Sequence, residues 1–271
     1  VSVAGRIMTT RVMGKAAFFT LQDQSGKIQL FGSKDNLKNY NLLKKLDRGD
    51  IVGVKGIVFK TKRGEVSIDV KSYDLLTKSL ANLPEKWKGL VDQELRYRKR
   101  FTDLVANREV FELFLKRTEF TKNLRKFMDK NGFMEVETPV LENTTGGAEA
   151  KPFITYHNTL DFDLYMRISL ELHLKRLMVG GFERVYELGK VFRNEGMSSE
   201  HLQEFTMLEF YYGYIDYEEL MKFVQDMYQT TIKETFGNLK IKYKDEVLNF
   251  GGNWKKIDYV DIVRRQDFWN H

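Results

Sequence analysis

Arg193 and Glu195 stand two residues apart at the end of the apolar run Val191-Phe192. Phe205, Met207, Glu209 and Tyr211 alternate along the run Glu204–Tyr211. In a strand, alternate side chains share a face. The spacing therefore predicts a hairpin, closed by the polar loop Gly196–Gln203, that collects one arginine, two carboxylates, an aromatic ring and a phenol. A guanidinium fork can grip a carboxylate and an α-phosphate together. That arrangement suits attack of a carboxylate on ATP, a reaction that needs alignment and charge neutralisation more than a nucleophilic side chain. Phe205 shares the predicted face of Arg193 and is placed to stack on adenine. Glu200 and His201, in the loop, either reach the phosphates or adenine or are simply solvated. Glu171 opens a second predicted helix. If Glu171 and Glu209 converge, the pocket is anionic, and a diamine-bearing amino acid fits it better than aspartate or asparagine. Otherwise Glu171 is a solvated helix residue.

The elements that must position these residues follow from pattern. Residues 107–130 read as a helix with Asn107 as N-cap, carrying Leu113, Phe120, Leu124, Phe127 and Met128 at helical spacing. Phe133–Leu141 reads as a strand around Pro139. Next come the Gly-rich turn Thr144–Ala148, a helix over about 170–178, strands around Arg184–Phe192 and 205–214, and a helix from about Tyr217. This mix predicts an α+β domain with a mainly antiparallel sheet. Ahead of it, residues 1 to about 78 read as strands Ser2–Ile7, Ala17–Gln22, Ile28–Phe31, Ile51–Phe59 and Glu65–Ile68, with a helix near Leu37–Leu46. Five strands and one helix predict a small Greek-key barrel such as an OB-fold. Residues 79–106, with Pro84 and mixed charge, read as a linker, and 107–271 as the second domain.

On the barrel, alternation sends Phe19, Leu21, Ile28 and Leu30 inward. Arg11, Phe18, Gln29 and Glu65 then share an outer surface. An exposed ring stacks on an unpaired base, and Gln, Glu and Arg read base edges or phosphate. The bland reading is that Phe18 caps the core and the polar residues are solvated.

Bulk composition is permissive. The 271 residues are 42% hydrophobic and 30% charged, with a net charge of +6 and no cysteine. Disulfides and thiolate metal sites are excluded. The four histidines form no metal-ligand pair at helical spacing, so no metal site is expected in this stretch. No apolar run is long enough for a bilayer and no signal peptide is evident, so no membrane partner is expected and a cytoplasmic location is. The mildly basic charge allows a polyanionic partner.

The residues resemble the class II lysyl-tRNA synthetases, from Val3-Ala4-Gly5-Arg6 to about Arg264. Met13-Gly14-Lys15-Ala16 and Thr20-Leu21-Gln22-Asp23 are similar to the family's anticodon-binding OB-fold. Asp92-Gln93-Glu94 with Arg96-Tyr97-Arg98 is similar to its interdomain segment. Gly132-Phe133-Met134-Glu135-Val136-Glu137-Thr138-Pro139 resembles motif 1, and Phe192-Arg193-Asn194-Glu195-Gly196 through Glu204-Phe205-Thr206 resembles motif 2. Gly146-Gly147-Ala148, Leu170-Glu171-Leu172, Lys175-Arg176-Leu177 and Val179-Gly180-Gly181 look lysyl rather than aspartyl or asparaginyl.

The resemblance implies a lysine–tRNA ligase using ATP and Mg²⁺, with tRNA(Lys) and L-lysine as partners and a homodimer formed through motif 1 around Pro139. It implies that Gly147, Glu171 and Glu209 hold the lysine α-ammonium and that Tyr211 helps place the side-chain ammonium. Arg193, the catalytic residue, would bind the lysine carboxylate and the α-phosphate. Glu195 and His201 would contact ATP, and Phe205 would stack on adenine. Phe18, Gln29, Glu65 and Arg11 would read the uridine-rich anticodon. Leu202-Gln203 departs from the Asn-Pro common in bacterial lysyl enzymes, and the His-Leu-x-Glu-Phe form is that of aspartyl and asparaginyl relatives. The chain starts at Val1 and reads as an excerpt. Motif 3 and the later acidic residues expected to bind Mg²⁺ and the lysine side chain are not in it, and 264–268 does not continue the resemblance smoothly. This stretch alone is therefore expected to be inactive as a catalyst. The rival readings are a synthetase-derived tRNA-binding or regulatory protein without catalysis, and an aspartyl- or asparaginyl-type ligase.

Overall fold

Alternation along the first strands sends apolar side chains into one core. In the computed structural model, which describes residues 1–81, 83, 90–198 and 200–264, five strands close a barrel in the order β1-β2-β3-β5-β4. These are β1 (Ser2–Met13), β2 (Ala16–Gln22), β3 (Lys27–Ser33), β4 (Ile51–Lys60) and β5 (Val66–Thr77). All pairings are antiparallel except β3 with β5. Ile7, Phe19, Leu21, Leu30, Val52, Val54, Ile68 and Val70 fill the interior. Between β3 and β4, α1 (Tyr40–Leu43) is shorter than the predicted 37–46. Its C-terminal flank tightens into i→i+3 bonds, Lys45 N to Leu42 O and Leu46 N to Leu43 O. Leu37, Tyr40, Leu43 and Leu46 still reach the barrel core.

The stretch read as a linker contains two helices, α2 (Gln93–Arg98) and α3 (Arg100–Ala106), followed by α4 (Arg108–Lys130). Their hub is the fully buried Asp103. It accepts from Arg96 Nε at 3.0 Å, from Asn107 Nδ2 at 2.6 Å and from Arg100 Nη1. Burial alone would raise its carboxyl, but these donors outweigh it and hold the group below the usual carboxylate range. The side chain of Asn107 therefore serves as a donor, to Asp103 and to Leu90 O, rather than as the expected N-cap acceptor. Pro84 and residues 265–268 lie outside the described residues.

The chain falls into two units, Val1–Phe114 and Leu115–His271, with the boundary inside α4. In the second unit, β6 (Met134–Glu135), β7 (Leu141–Glu142), β8 (Ile154–His157) and β9 (Phe162–Met166) precede α5 (Glu171–Val179). Then come β10 (Arg184–Phe192), β11 (Glu204–Tyr212), α6 (Tyr217–Phe236), the hairpin β12 (Lys240–Tyr243) and β13 (Glu246–Asn249), and α7 (Tyr259–Arg264). The sheets are β11-β10-β6 and β7-β9-β8, so the unit is α+β. The single strand predicted over 133–141 is instead split into β6 and β7. Pro139 has no N–H for a ladder, and Thr138 N donates to Glu187 Oε2 rather than to a strand. Asp216 begins α6 with a capping box closed by Glu219, which accounts for a helix starting at Tyr217.

The β10–β11 hairpin has two differently occupied faces, as its period of two requires. Tyr186, Leu188, Leu208, Phe210 and Tyr212 pack with Leu124, Phe127 and Met128 of α4 and with Phe223 and Met227 of α6. Val185, Val191, Phe205, Met207 and Tyr211 pack with Leu170 and Leu174, at the start of α5 and within it. The second face carries the chemistry.

Candidate functional site

Cross-strand register orders that face into rungs: Val191 beside Phe205, Gly189 beside Met207, Glu187 beside Glu209, and Val185 beside Tyr211. Two carboxylates facing each other across a ladder repel, and the fold resolves this by giving them different partners. Glu187 is buried and paired with the buried Arg167, Nη1 to Oε1 at 2.7 Å. Its other oxygen accepts from Thr138 N at 3.1 Å and Thr138 Oγ1 at 2.5 Å. Arg167 is fixed further by Nε donating to Lys190 O and Nη1 to Thr138 O. Only glycine fits at 189, because a Cβ there would run into Arg167 Nη2 and Glu187 Oε1. Glu187 is thus neutralised within the protein.

Glu209 is not. Its Oε1 accepts from Ser169 Oγ at 3.0 Å and Leu170 N at 2.9 Å, two neutral donors that orient the carboxylate without cancelling its charge. Ser169 Oγ also accepts from Glu171 N at 3.0 Å, so one hydroxyl ties Glu209 to the first turn of α5. Gly147 closes against the same group. It has φ +83, and a Cβ on it would lie 2.8 Å from Ser169 Oγ and 2.9 Å from the Cβ of Glu171. The structure therefore brings Gly147, Glu171 and Glu209 around Ser169.

A primary ammonium already sits on this acidic group. Lys175 Nζ lies 2.5 Å from Glu171 Oε1, one helical turn along α5. Its pKa is raised chiefly by the hydrogen bond to Glu171, with Tyr211 and Glu209 adding to the attraction. Burial raises the Tyr211 phenol, and the charge of Glu171 raises it further, so it stays a neutral donor and acceptor near pH 7.

At the other end of the face, the Arg193 guanidinium lies 5.3 Å from the centroid of the Phe205 ring. Its Nε donates to Ile168 O at 3.4 Å, and its backbone N to Gln203 O at 2.8 Å. Neither Nη nitrogen makes a hydrogen bond or ion pair among the described residues. Arg193 and Phe205 thus meet as expected, although β10 ends one residue earlier. Glu195 is a correction to the strand reading: it is off the ladder, exposed, and accepts from Lys151 N at 3.3 Å, while Asn194 N donates to Lys151 O. Competition from the Lys151 backbone ends the strand before alternation can place Glu195. His201 is exposed in the loop, with its Nδ1 2.8 Å from Ser198 Oγ.

Sequence reading passed over Arg167, Ser169 and Glu187. Glu187 carried a signal, since it interrupts the face Val185, Gly189, Val191 of a strand that is otherwise apolar or glycine there. Among the described residues no cluster of three or more His, Cys, Asp or Glu side chains is arranged to hold a metal ion, and no helix is long and apolar enough to cross a membrane.

A second surface lies on the barrel. Arg11 pairs with Phe18, and Phe18 with Phe31, in adjacent strands. Phe18 and Phe31 have ring centroids 5.1 Å apart, and Phe31 and Phe59 5.9 Å. Beside this row, Gln29 Nε2 donates to Glu65 Oε2 at 2.9 Å. Arg11, Phe18, Gln29 and Glu65 therefore share one outer face. Phe31 and Phe59, not anticipated from sequence, extend its aromatic row.

Comparison with known sequences places these two surfaces in context. Residues 1–76 match the OB-fold nucleic acid binding domain, and residues 92–270 match the tRNA synthetases class II (D, K and N). A lysine–tRNA ligase from Thermoanaerobacter sp. (strain X514) is 52% identical over 266 residues, covering 97% of this chain and 53% of the relative. Relatives of the same name from Staphylococcus epidermidis and Trichormus variabilis are each 48% identical, over 100% and 97% of this chain and 56% and 49% of their own. The chain spans about half the length of the curated relatives it matches.

Proposed function

The chain belongs to the class II tRNA synthetases (D, K and N), and on that premise we propose that the protein is a lysine–tRNA ligase. It activates lysine with ATP, releasing pyrophosphate, and transfers the lysyl group to the 3′ end of tRNA(Lys). The observation that carries this reading is the acidic group around Ser169, which already accommodates a lysine ammonium, on the same sheet face as a guanidinium whose two Nη nitrogens have no hydrogen-bond partner among the described residues.

In this reading Glu209, Glu171 and Gly147 receive the α-ammonium of substrate lysine, and Tyr211 helps place its side-chain ammonium. Bound lysine displaces Lys175 from Glu171. Arg193 spans the lysine carboxylate and the α-phosphate, so that a carboxylate oxygen attacks phosphorus while the bond to pyrophosphate breaks. The guanidinium offsets the charge that builds on the phosphoryl oxygens. Phe205 stacks on adenine, with Glu195 and His201 contacting ATP. The family's use of Mg²⁺ fits this chemistry, although no cluster of acidic side chains among the described residues is arranged to hold the ion. Residues 1–78 serve as the anticodon-reading barrel through Arg11, Phe18, Gln29 and Glu65, 79–106 as connector and 107–271 as the catalytic part. A homodimer through the motif 1 segment is supported by the exposed Met134, Val140 and Leu141. The protein acts in the cytoplasm.

The test is Glu209→Gln in the full-length protein. The amide still accepts from Leu170 N but carries no charge. A hydrogen bond to a charged group contributes roughly 1.5–3 kcal/mol, so KM for lysine in ATP–pyrophosphate exchange should rise about 10- to 100-fold, with KM for ATP little changed. An unchanged lysine KM would remove Glu209 from the site.

A further inference from the structure

The buried pair Glu142–His173 has no part in the reading above. Glu142 ends β7 and His173 lies on α5, with 8% and 17% of their side chains exposed. Arg176 Nη1 donates to His173 Nδ1 at 3.5 Å. A guanidinium only donates, so Nδ1 is the accepting nitrogen and Nε2 carries the hydrogen. Nε2 then donates to Glu142 Oε1 at 2.9 Å. The other oxygen, Oε2, is buried with no hydrogen-bond partner among the described residues. A bare buried acceptor costs stability, so stability alone does not account for a glutamate here.

The chain beyond Glu142 shows what the pair fixes. β7 joins its sheet through two residues only, Leu141 and Glu142. Residues 143–150, which include Gly147, make no hydrogen bond or ion pair among the described residues. Gly146 and Gly147 merely come close to their neighbours: a Cβ on Gly146 would lie 2.5 Å from Leu172 Cδ1, and one on Gly147 2.8 Å from Ser169 Oγ. The stretch is therefore fastened at its ends. At the far end, Asn194 N donates to Lys151 O at 2.7 Å. At the near end, the fastening is the bond from His173 to Glu142, and His173 stands on the helix that begins with Glu171.

We propose that Glu142 and His173 are positioning residues of the lysine site: their hydrogen bond ties the start of the Gly147 turn to α5 and so keeps Gly147 beside Glu171. This rests on the lysine reading of the acidic group. An ammonium donates in three directions, so its acceptors must keep their relative places. A slack turn binds lysine more weakly in ground state and transition state alike, which raises KM without lowering kcat. The phosphate end, fastened separately through Lys151, is spared.

The experiment measures ATP–pyrophosphate exchange by the full-length protein in wild type, Glu142→Gln and the double variant Glu142→Leu, His173→Phe. The double variant leaves neither member of the pair polar and unpaired, so its urea midpoint should stay near wild type. Its KM for lysine should rise about tenfold, with kcat and KM for ATP little changed. Glu142→Gln keeps an acceptor for Nε2 and should retain the wild-type KM for lysine. Glu142→Ala, read in the same way, keeps the test decisive should the double variant lose its fold. A wild-type lysine KM in the folded double variant refutes the positioning role, and the reading of the site then stands if Glu209→Gln still raises that KM. An equal rise in KM for ATP, or a loss in Glu142→Gln as large as in the double variant, also refutes it. No lysine-dependent exchange in wild type overturns the site reading and this proposal together.

Discussion

Arg193→Ala in the full-length protein is expected to lower lysine-dependent ATP–pyrophosphate exchange by about 10³-fold or more, with no comparable loss of folding stability. Removing a single donor aimed at a developing charge costs about 10²–10³ in rate, and Arg193 is proposed to contact both reactants. Its stability role is small, because its side chain makes one long hydrogen bond, to Ile168 O, and its Nη nitrogens have no hydrogen-bond partner among the described residues. Arg193→Lys keeps the charge but not the planar fork. It should recover only part of the rate, which separates bidentate alignment from simple charge neutralisation. Wild-type exchange in Arg193→Ala would show that the hairpin end is not where the phosphoryl group sits.

Arg167→Ala should instead act on stability. It would strip the partner from the buried carboxylate of Glu187, which stands directly across the ladder from Glu209. Removing one member of a buried ion pair costs about 3–5 kcal/mol, measurable as a lowered urea midpoint of the full-length protein. The double variant Arg167→Met, Glu187→Met should recover part of that loss, because no lone charge is left inside. Recovery should be incomplete, since Thr138 N and Oγ1 would both lose their acceptor. A single variant as stable as wild type would contradict the role given to Arg167, and with it the explanation of how two paired acids share this face.

Both predictions draw on features of unequal visibility in the chain. The barrel strands and the β10–β11 hairpin were legible because alternation is a local signal, and Phe205, Met207, Glu209 and Tyr211 follow it along β11. Glu195 was misplaced because the same signal cannot show that the Lys151 backbone competes for the residues beyond Phe192. The strand expected over 133–141 failed in a similar way. Apolar content suggested it, while Pro139 and the pull of Glu187 on Thr138 broke it. The helices α2 and α3 were hidden by charge. Glu94, Arg96, Arg98 and Arg100 read as a solvated linker, yet Arg96 and Arg100 converge on the buried Asp103. The site's acids were recognisable by type, but not the division of labour between them. That division depends on Arg167 and Ser169, which lie in the turn before α5 and meet Glu187 and Glu209 only once the hairpin has folded against it. Long-range pairing of this kind leaves no periodicity to read.

The acidic group around Ser169, with Tyr211 beside it, is proposed to form part of a site that activates lysine with ATP. ATP–pyrophosphate exchange by the full-length protein, run separately with each of the twenty amino acids, tests it most directly. Exchange is expected with lysine, and only background rates with aspartate and asparagine. Exchange driven by aspartate or asparagine, or none with lysine, would contradict it.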